Sequence, residues 1–153
     1  MVAFLLPVAV LASGLAAGGL VISVLGGAPL LLALPTDRYI PVHQFLVQRF
    51  DPFMPISMGL ALLCDVALIF LAPTVLTQGM AAVSAALLLL AMAVSIFKNV
   101  PINKWVATLR PDTVPDDWER LDPRVRWRNW NAVRTVFAVA ALSVNVVAVG
   151  VLL

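Results

Sequence analysis

The chemistry this chain can offer resides in one histidine, one mid-helix aspartate and an arginine set in an apolar run. His43 is the only histidine among 153 residues, and imidazole is the side chain best suited to take up or release a proton near neutral pH. Asp65 lies eleven residues past Met54 in an otherwise uncharged stretch, or about 16 Å along a helix axis. A carboxyl group at that depth is either neutral or paired with a cation. Arg134 shares one helical face with Trp127, Asn131, Ala138, Ala141 and Asn145, at spacings of three or four. A cation flanked by amides can hold a developing enolate through preorganised hydrogen bonds. The plainer alternatives are that the Arg134 stem snorkels its charge to the headgroups, and that the stripe only holds helices together.

Asn99 and Asn103 stand four apart and project in one direction if a helix continues through Pro101. Otherwise Asn99 suits a capping role at the start of the next helix. Trp105, Trp118, Trp127 and Trp130 all lie on the same side of the chain. They read either as an interfacial belt or as walls that stack against an aromatic ligand. One histidine alone does not make a metal centre, and no carboxylates or thiols cluster around it in sequence. Ligands could still converge from different helices, but spacing gives a metal little support. Cys64, the single cysteine, has no disulfide partner in the chain and reads as a packing residue. Nucleophile motifs, phosphate loops and dinucleotide fingerprints are absent.

The elements that must position these residues follow from composition. Hydrophobic residues make up 62% of the chain and charged ones only 12%, against roughly 25% charged in soluble domains, so a soluble domain is excluded. Runs of about 20 apolar residues cross a bilayer, and four are present, near 4–33, 54–72, 78–97 and 129–152. The expected fold is all-α, one integral membrane four-helix bundle over residues 1–153. Short interfacial helices fill its first and third connections. A cleaved signal peptide would open on a positive region. No Lys or Arg precedes Arg38, so the first run is expected to stay as a helix.

Basic residues gather in the first and third connections, from Arg38 and Arg49 to Lys98, Lys104, Arg110, Arg120, Arg124, Arg126 and Arg128. By the positive-inside rule both connections face the cytoplasm and both termini lie outside, as expected for a multi-pass protein of the cell membrane. The net charge is only +2, and these bases read as topology and lipid-headgroup contacts rather than nucleic-acid binding. In the first connection, YIPVHQFLVQRF places Ile40, Phe45, Leu46 and Phe50 at helical spacing, an amphipathic helix. Pro29 and Pro35 are expected to kink or unwind the end of the first helix. Pro101 fits the first turn of a separate helix to about Leu109, and Asp116, Asp117 and Trp118 begin another. Gly14 and Gly18 allow close helix approach inside the bundle or self-association into a homo-oligomer.

The run Asn99-Val100-Pro101-Ile102-Asn103-Lys104-Trp105, then Trp118, then Trp127-Arg128-Asn129-Trp130-Asn131-Ala132-Val133-Arg134-Thr135 resembles the signature of the anthrone oxygenase-like family (DUF1772) of small four-helix membrane proteins. The likeness covers the second half of the chain well. In the first half it rests on the Gly/Ala-rich first helix and the His-containing connection. It implies a membrane enzyme of polyketide tailoring, some members oxidising an anthrone to an anthraquinone with molecular oxygen as co-substrate and no evident organic cofactor. By position the resemblance extends to Asn99, Asn103, Trp127, Trp130, Asn131 and Arg134. His43 and Asp65 come from physics alone.

Together these lines predict an apolar aromatic substrate held by Asn99, Asn103, Trp118, Trp127 and Trp130. His43 or Asp65 is then the base, and Arg134 and Asn131 steady the enolate. Two other classes fit the same residues: a cofactor-independent cyclase or isomerase, and a non-enzymatic carrier or accessory subunit of the membrane.

Overall fold

In hydrocarbon every backbone N–H and C=O must be bonded within the protein, and the chain meets this with long helices. The computed structural model describes residues 1–152. Helix α1 (Val2–Ile22), a π-turn at Ser23–Gly27 and α2 (Ala28–Ala33) form the first rod. Helices α3 (Thr36–Phe50) and α4 (Phe53–Leu71) form the second. The third joins α5 (Val75–Val94), a π-turn at Ser95–Asn99 and α6 (Val100–Ala107). Helix α7 (Trp118–Leu121) leads into α8 (Arg124–Leu152). Each rod contains a stretch long and apolar enough to span a membrane, and no strand occurs among the described residues.

Around the bundle α1 packs on α4, α4 on α5, α5 on α8, and α8 closes the ring on α1. Small side chains line these contacts, among them Ala9, Ala12, Ala16, Ala61, Ala85, Ala91, Ala138 and Ala141, all buried. Leu11, Leu63, Phe70 and Val136 face outward. Lipid is as apolar as leucine, so helices associate through close packing and polar contacts rather than by hiding large hydrophobes. The expected stripe of α8 is buried at Trp127, Asn131, Ala138, Ala141 and Asn145, with Arg134 half-buried and Thr135 buried in addition.

The structure departs from expectation at the prolines. The first rod does not unwind at Pro29, and α6 is not separate from the third rod. A proline removes one hydrogen bond and its ring presses on the carbonyl four residues earlier. Those carbonyls belong to Leu25 and Phe97, and both lie inside the π-turns. The wider turn takes up the displaced carbonyl, so each helix runs on. Asn99 accordingly makes no side-chain cap. The third and fourth long helices start at Val75 and Arg124, earlier than expected. A reciprocal hydrogen-bond box between Thr74 and Thr77 caps α5.

The amphipathic helix of the first connection is present as α3, with Tyr39, Ile40 and His43 inward. Arg124 ties it to the bundle. Its guanidinium bonds Asp122 at 2.6 Å, donates to the carbonyl of Leu34 at 2.7 Å and lies 5.2 Å from the centre of the Tyr39 ring. Cations are favoured at such a helix C-terminus, where carbonyls lack partners. The glycines of α1 divide: Gly14 faces Leu142, Gly19 is so close to Met54 that a Cβ would meet its sulfur at 2.9 Å, and Gly18 faces open space.

If small-residue packing holds the ring together, Ala141→Leu, at a fully buried position, is expected to cost about 1–3 kcal/mol through overpacking. Its thermal unfolding midpoint in detergent should fall, while Val136→Leu on the lipid face should leave it unchanged. Equal midpoints for the two variants would refute this account of the bundle.

Candidate functional site

The site is built around the amide of Asn103, carried by α6 beyond the second π-turn. Its Oδ1 accepts the indole N–H of Trp127 at 2.9 Å and lies 3.1 Å from His43 Nε2. An indole nitrogen only donates, so the Asn103 atom facing it is the oxygen. That oxygen cannot donate to His43, so His43 Nε2 must carry the proton. The neutral ring then presents Nδ1 as an unprotonated acceptor, and Nδ1 is buried with no partner. The ring itself is 1% exposed and meets Tyr39 and Trp127 edge-on, at 5.3 and 5.2 Å between centroids. Helix α3 lies in a polar connection outside the four apolar runs. Burial there pushes the imidazole below its usual 6.5, with the Asn103 bond working the other way.

His43, Asn103 and Trp127 form part of the wall of a cavity of about 280 Å³, just below the usual range for small-molecule pockets. The remaining wall comes mainly from the first π-turn, α2 and the α3–α4 junction, including Ser23, Gly26, Leu31, Phe50, Asp51 and Met54. The lining is apolar apart from a few polar groups, and one of these is Arg134. The Arg134 Nε and Nη2 donate to Asn131 Oδ1 at 3.0 and 2.7 Å, and Nη1 donates to Ser95 Oγ at 3.2 Å. Asn131 Nδ2 in turn donates to Ser23 Oγ at 3.1 Å. Ser23 and Ser95 open the two π-turns, so this network links the first and third rods through α8. Arg134 forms no ion pair among the described residues.

The other expected site residues lie elsewhere. Asn99 does project toward the same partner as Asn103: its Nδ2 donates to the Trp127 carbonyl at 3.2 Å, but it does not line the cavity. Trp118 stacks on Trp105 at 6.1 Å and leans on Tyr39, behind the cavity wall. Trp130 carries Lys98 over its face at 5.0 Å, outside the cavity. Asp65 belongs to a different cluster within the bundle. Its Oδ2 accepts from Ser84 Oγ at 2.6 Å and from Asn145 Nδ2 at 3.3 Å, while Oδ1 is buried without a partner. Its partners are neutral donors, not a cation. Cys64 is buried in an apolar cluster. Among the described residues no group of three or more His, Cys, Asp or Glu side chains converges.

Sequence reading missed Ser23, Gly26, Phe50, Asp51, Met54 and Ser95. A signal for the π-turns was available. Ser23 precedes Pro29 and Ser95 precedes Pro101 by the same six residues, and π-turns inside helices concentrate at functional sites.

Comparison with known proteins adds one finding. Residues 48–144 match a family described as anthrone oxygenase. No curated protein and no solved structure matches the chain. The matched stretch contains Asn103, Trp127, Asn131 and Arg134. The first π-turn and His43 lie outside it.

Because His43 is the only histidine, its nitrogen NMR resonances are unambiguous. The expected spectrum is that of the Nε2–H tautomer, with a titration midpoint below 6.5 because burial disfavours the charged ring. Asn103→Leu should redistribute the tautomers. An Nδ1–H tautomer in the unmodified protein would overturn the proton assignment.

Proposed function

The chain belongs to the anthrone oxygenase family, and on that premise we propose that it oxidises the benzylic methylene of an anthrone-type polyketide to a quinone with molecular oxygen. One observation supports this most strongly: His43 lines an apolar cavity with Nε2–H held by Asn103 and Nδ1 buried without a partner. A neutral imidazole so fixed has a free acceptor nitrogen, which is closed to water here and becomes the reacting nitrogen of a general base once a bound substrate moves the wall beside it. Arg134 shares the cavity wall, and its guanidinium charge favours the enolate that forms when the proton leaves. Trp127 offers an aromatic surface to a planar substrate.

In the proposed reaction His43 Nδ1 removes one methylene proton, and the electron pair spreads into the ring ketone as an enolate. That electron-rich anion reduces dioxygen and forms a carbon–oxygen bond, and the proton held on His43 returns to the terminal peroxide oxygen, giving a hydroperoxide. The second methylene proton and hydroxide then depart as the new carbonyl forms. Anthrone and O2 become anthraquinone and water, with no organic cofactor consumed. In this scheme Asp65 is the centre of a helix-pairing cluster, and His43 alone is the base. With the basic connections on the cytoplasmic side, the cavity lies toward the inner leaflet.

Purified protein in nanodiscs, given a simple anthrone, is expected to consume one O2 for each quinone formed. His43→Ala should lower kcat by about 10²–10⁴, the usual contribution of a positioned base. Asp65→Asn should retain most of the rate. Absence of oxygen uptake by the folded wild type would exclude oxidation and favour a cyclase or isomerase. Stoichiometric metal in the active preparation would overturn the cofactor-free scheme.

A further inference from the structure

Part of the cavity wall also belongs to the outer surface of the protein. Ile22, Gly26 and Leu30 fall at intervals of four along the first rod, and all three line the cavity. All three are also exposed on the outside of the bundle, Ile22 by 65% and Leu30 by 48%. The same cavity is also lined by Leu46, Val47 and Phe50 of α3, each half-buried. Gly26 contributes no side chain to the wall, and a Cβ built there would meet nothing within 4 Å.

Helix packing does not explain this glycine. Small residues in membrane helices normally let a neighbouring backbone come close, and nothing approaches Gly26. A glycine inside a helix also lowers helix stability, and here it sits in a π-turn, itself a rare and costly geometry that marks functional positions. The combined effect of turn and glycine is an open flank. Gly26 lies seven residues before Ala33, about 10 Å along the axis, beneath the end of the rod and within reach of the acyl chains.

We propose that the gap between Gly26 and α3 is a lateral portal through which planar, apolar aromatic molecules dissolved in the bilayer reach the cavity, and that Gly26 sets its width. The class of molecule rests on the function proposed above. The route rests on geometry. Another exposed lining residue, Asp51 at the α3–α4 junction, carries a carboxylate, which repels electron-rich phenolates and makes that corner a poor route for them. The flank at Gly26 presents Ile22, Leu30, Leu46, Val47, Phe50 and a glycine, none of them charged. Arg134 and His43, also in the wall, then orient a molecule that has entered with its oxygen atoms toward charge and donors.

Gly18 provides a matched control. It is exposed on the same rod, meets nothing within 4 Å, and does not line the cavity. Leucine at either position adds the same apolar volume on an exposed face of the rod. The full-length protein in nanodiscs would be mixed with a dihydroxyanthraquinone in stopped flow, and binding followed by quenching of tryptophan fluorescence, Trp127 being in the wall. Gly26→Leu is expected to slow association and dissociation together by about tenfold, within the range over which association rates vary among related variants. Affinity should change much less, and Gly18→Leu should match wild type.

Identical rates in both variants would overturn the portal. So would a loss of affinity with an unchanged association rate, which would make Gly26 part of the binding surface rather than a gate. Failure of wild type to bind the anthraquinone would overturn the ligand class and the portal together. Binding without oxygen uptake from an anthrone would remove the oxygenase reading and leave the portal standing.

Discussion

In hydrocarbon a polar side chain has no water to bond. Ser13, Thr135 and Ser143 bond a carbonyl one turn back in their own helix, while the amides, Asp65 and Arg134 reach across helix interfaces, and those pairings decide how the four rods sit. The most consequential runs from Ser23 through Asn131 and Arg134 to Ser95. It places a guanidinium inside the bundle that forms no ion pair among the described residues, and fixes α8 against both π-turns. Because a charge in a low-dielectric setting is costly unless it is hydrogen-bonded, shifting any of the three rods would break bonds that Arg134 needs. The network therefore holds register as well as charge.

The two π-turns give the bundle its functional shape. Each begins with a serine that joins the network and is followed by a proline that an ordinary helix would not accommodate easily. On the first rod the wide turn and its glycines open a cavity toward α3. On the third it carries the rod on into α6, which brings Asn103 to His43 and Trp127. Two local departures from regular helix, on different rods, thus produce one site.

Polar groups are divided between two levels. His43, Asn103, Trp127 and Arg134 surround open space. Asp65, Ser84 and Asn145 are buried among packed helices, and serine and amide donors satisfy one carboxyl oxygen. The same residue types do different work because one set borders a volume that a ligand can occupy and the other does not. Small alanines permit this division, letting helices close tightly around the Asp65 level while the π-turn keeps them apart lower down.

The sequence by itself determined the membrane class, the four long helices, the amphipathic α3 and the buried stripe of α8, since all of these follow from local composition and helical period. It also singled out His43, as the only histidine, and Asp65 and Arg134, because charged residues in apolar runs stand out without a fold. Only the tertiary structure decided which of them meet. The pairing of His43 with Asn103 spans sixty residues, and the separation of Asp65 from both depends on which helix faces which. Helical period constrains one rod at a time and carries no information on the rotation of one rod against another. The π-turns change that rotation by an added residue, and the hydrogen bonds across the interfaces then select the arrangement that leaves the fewest polar groups unmatched.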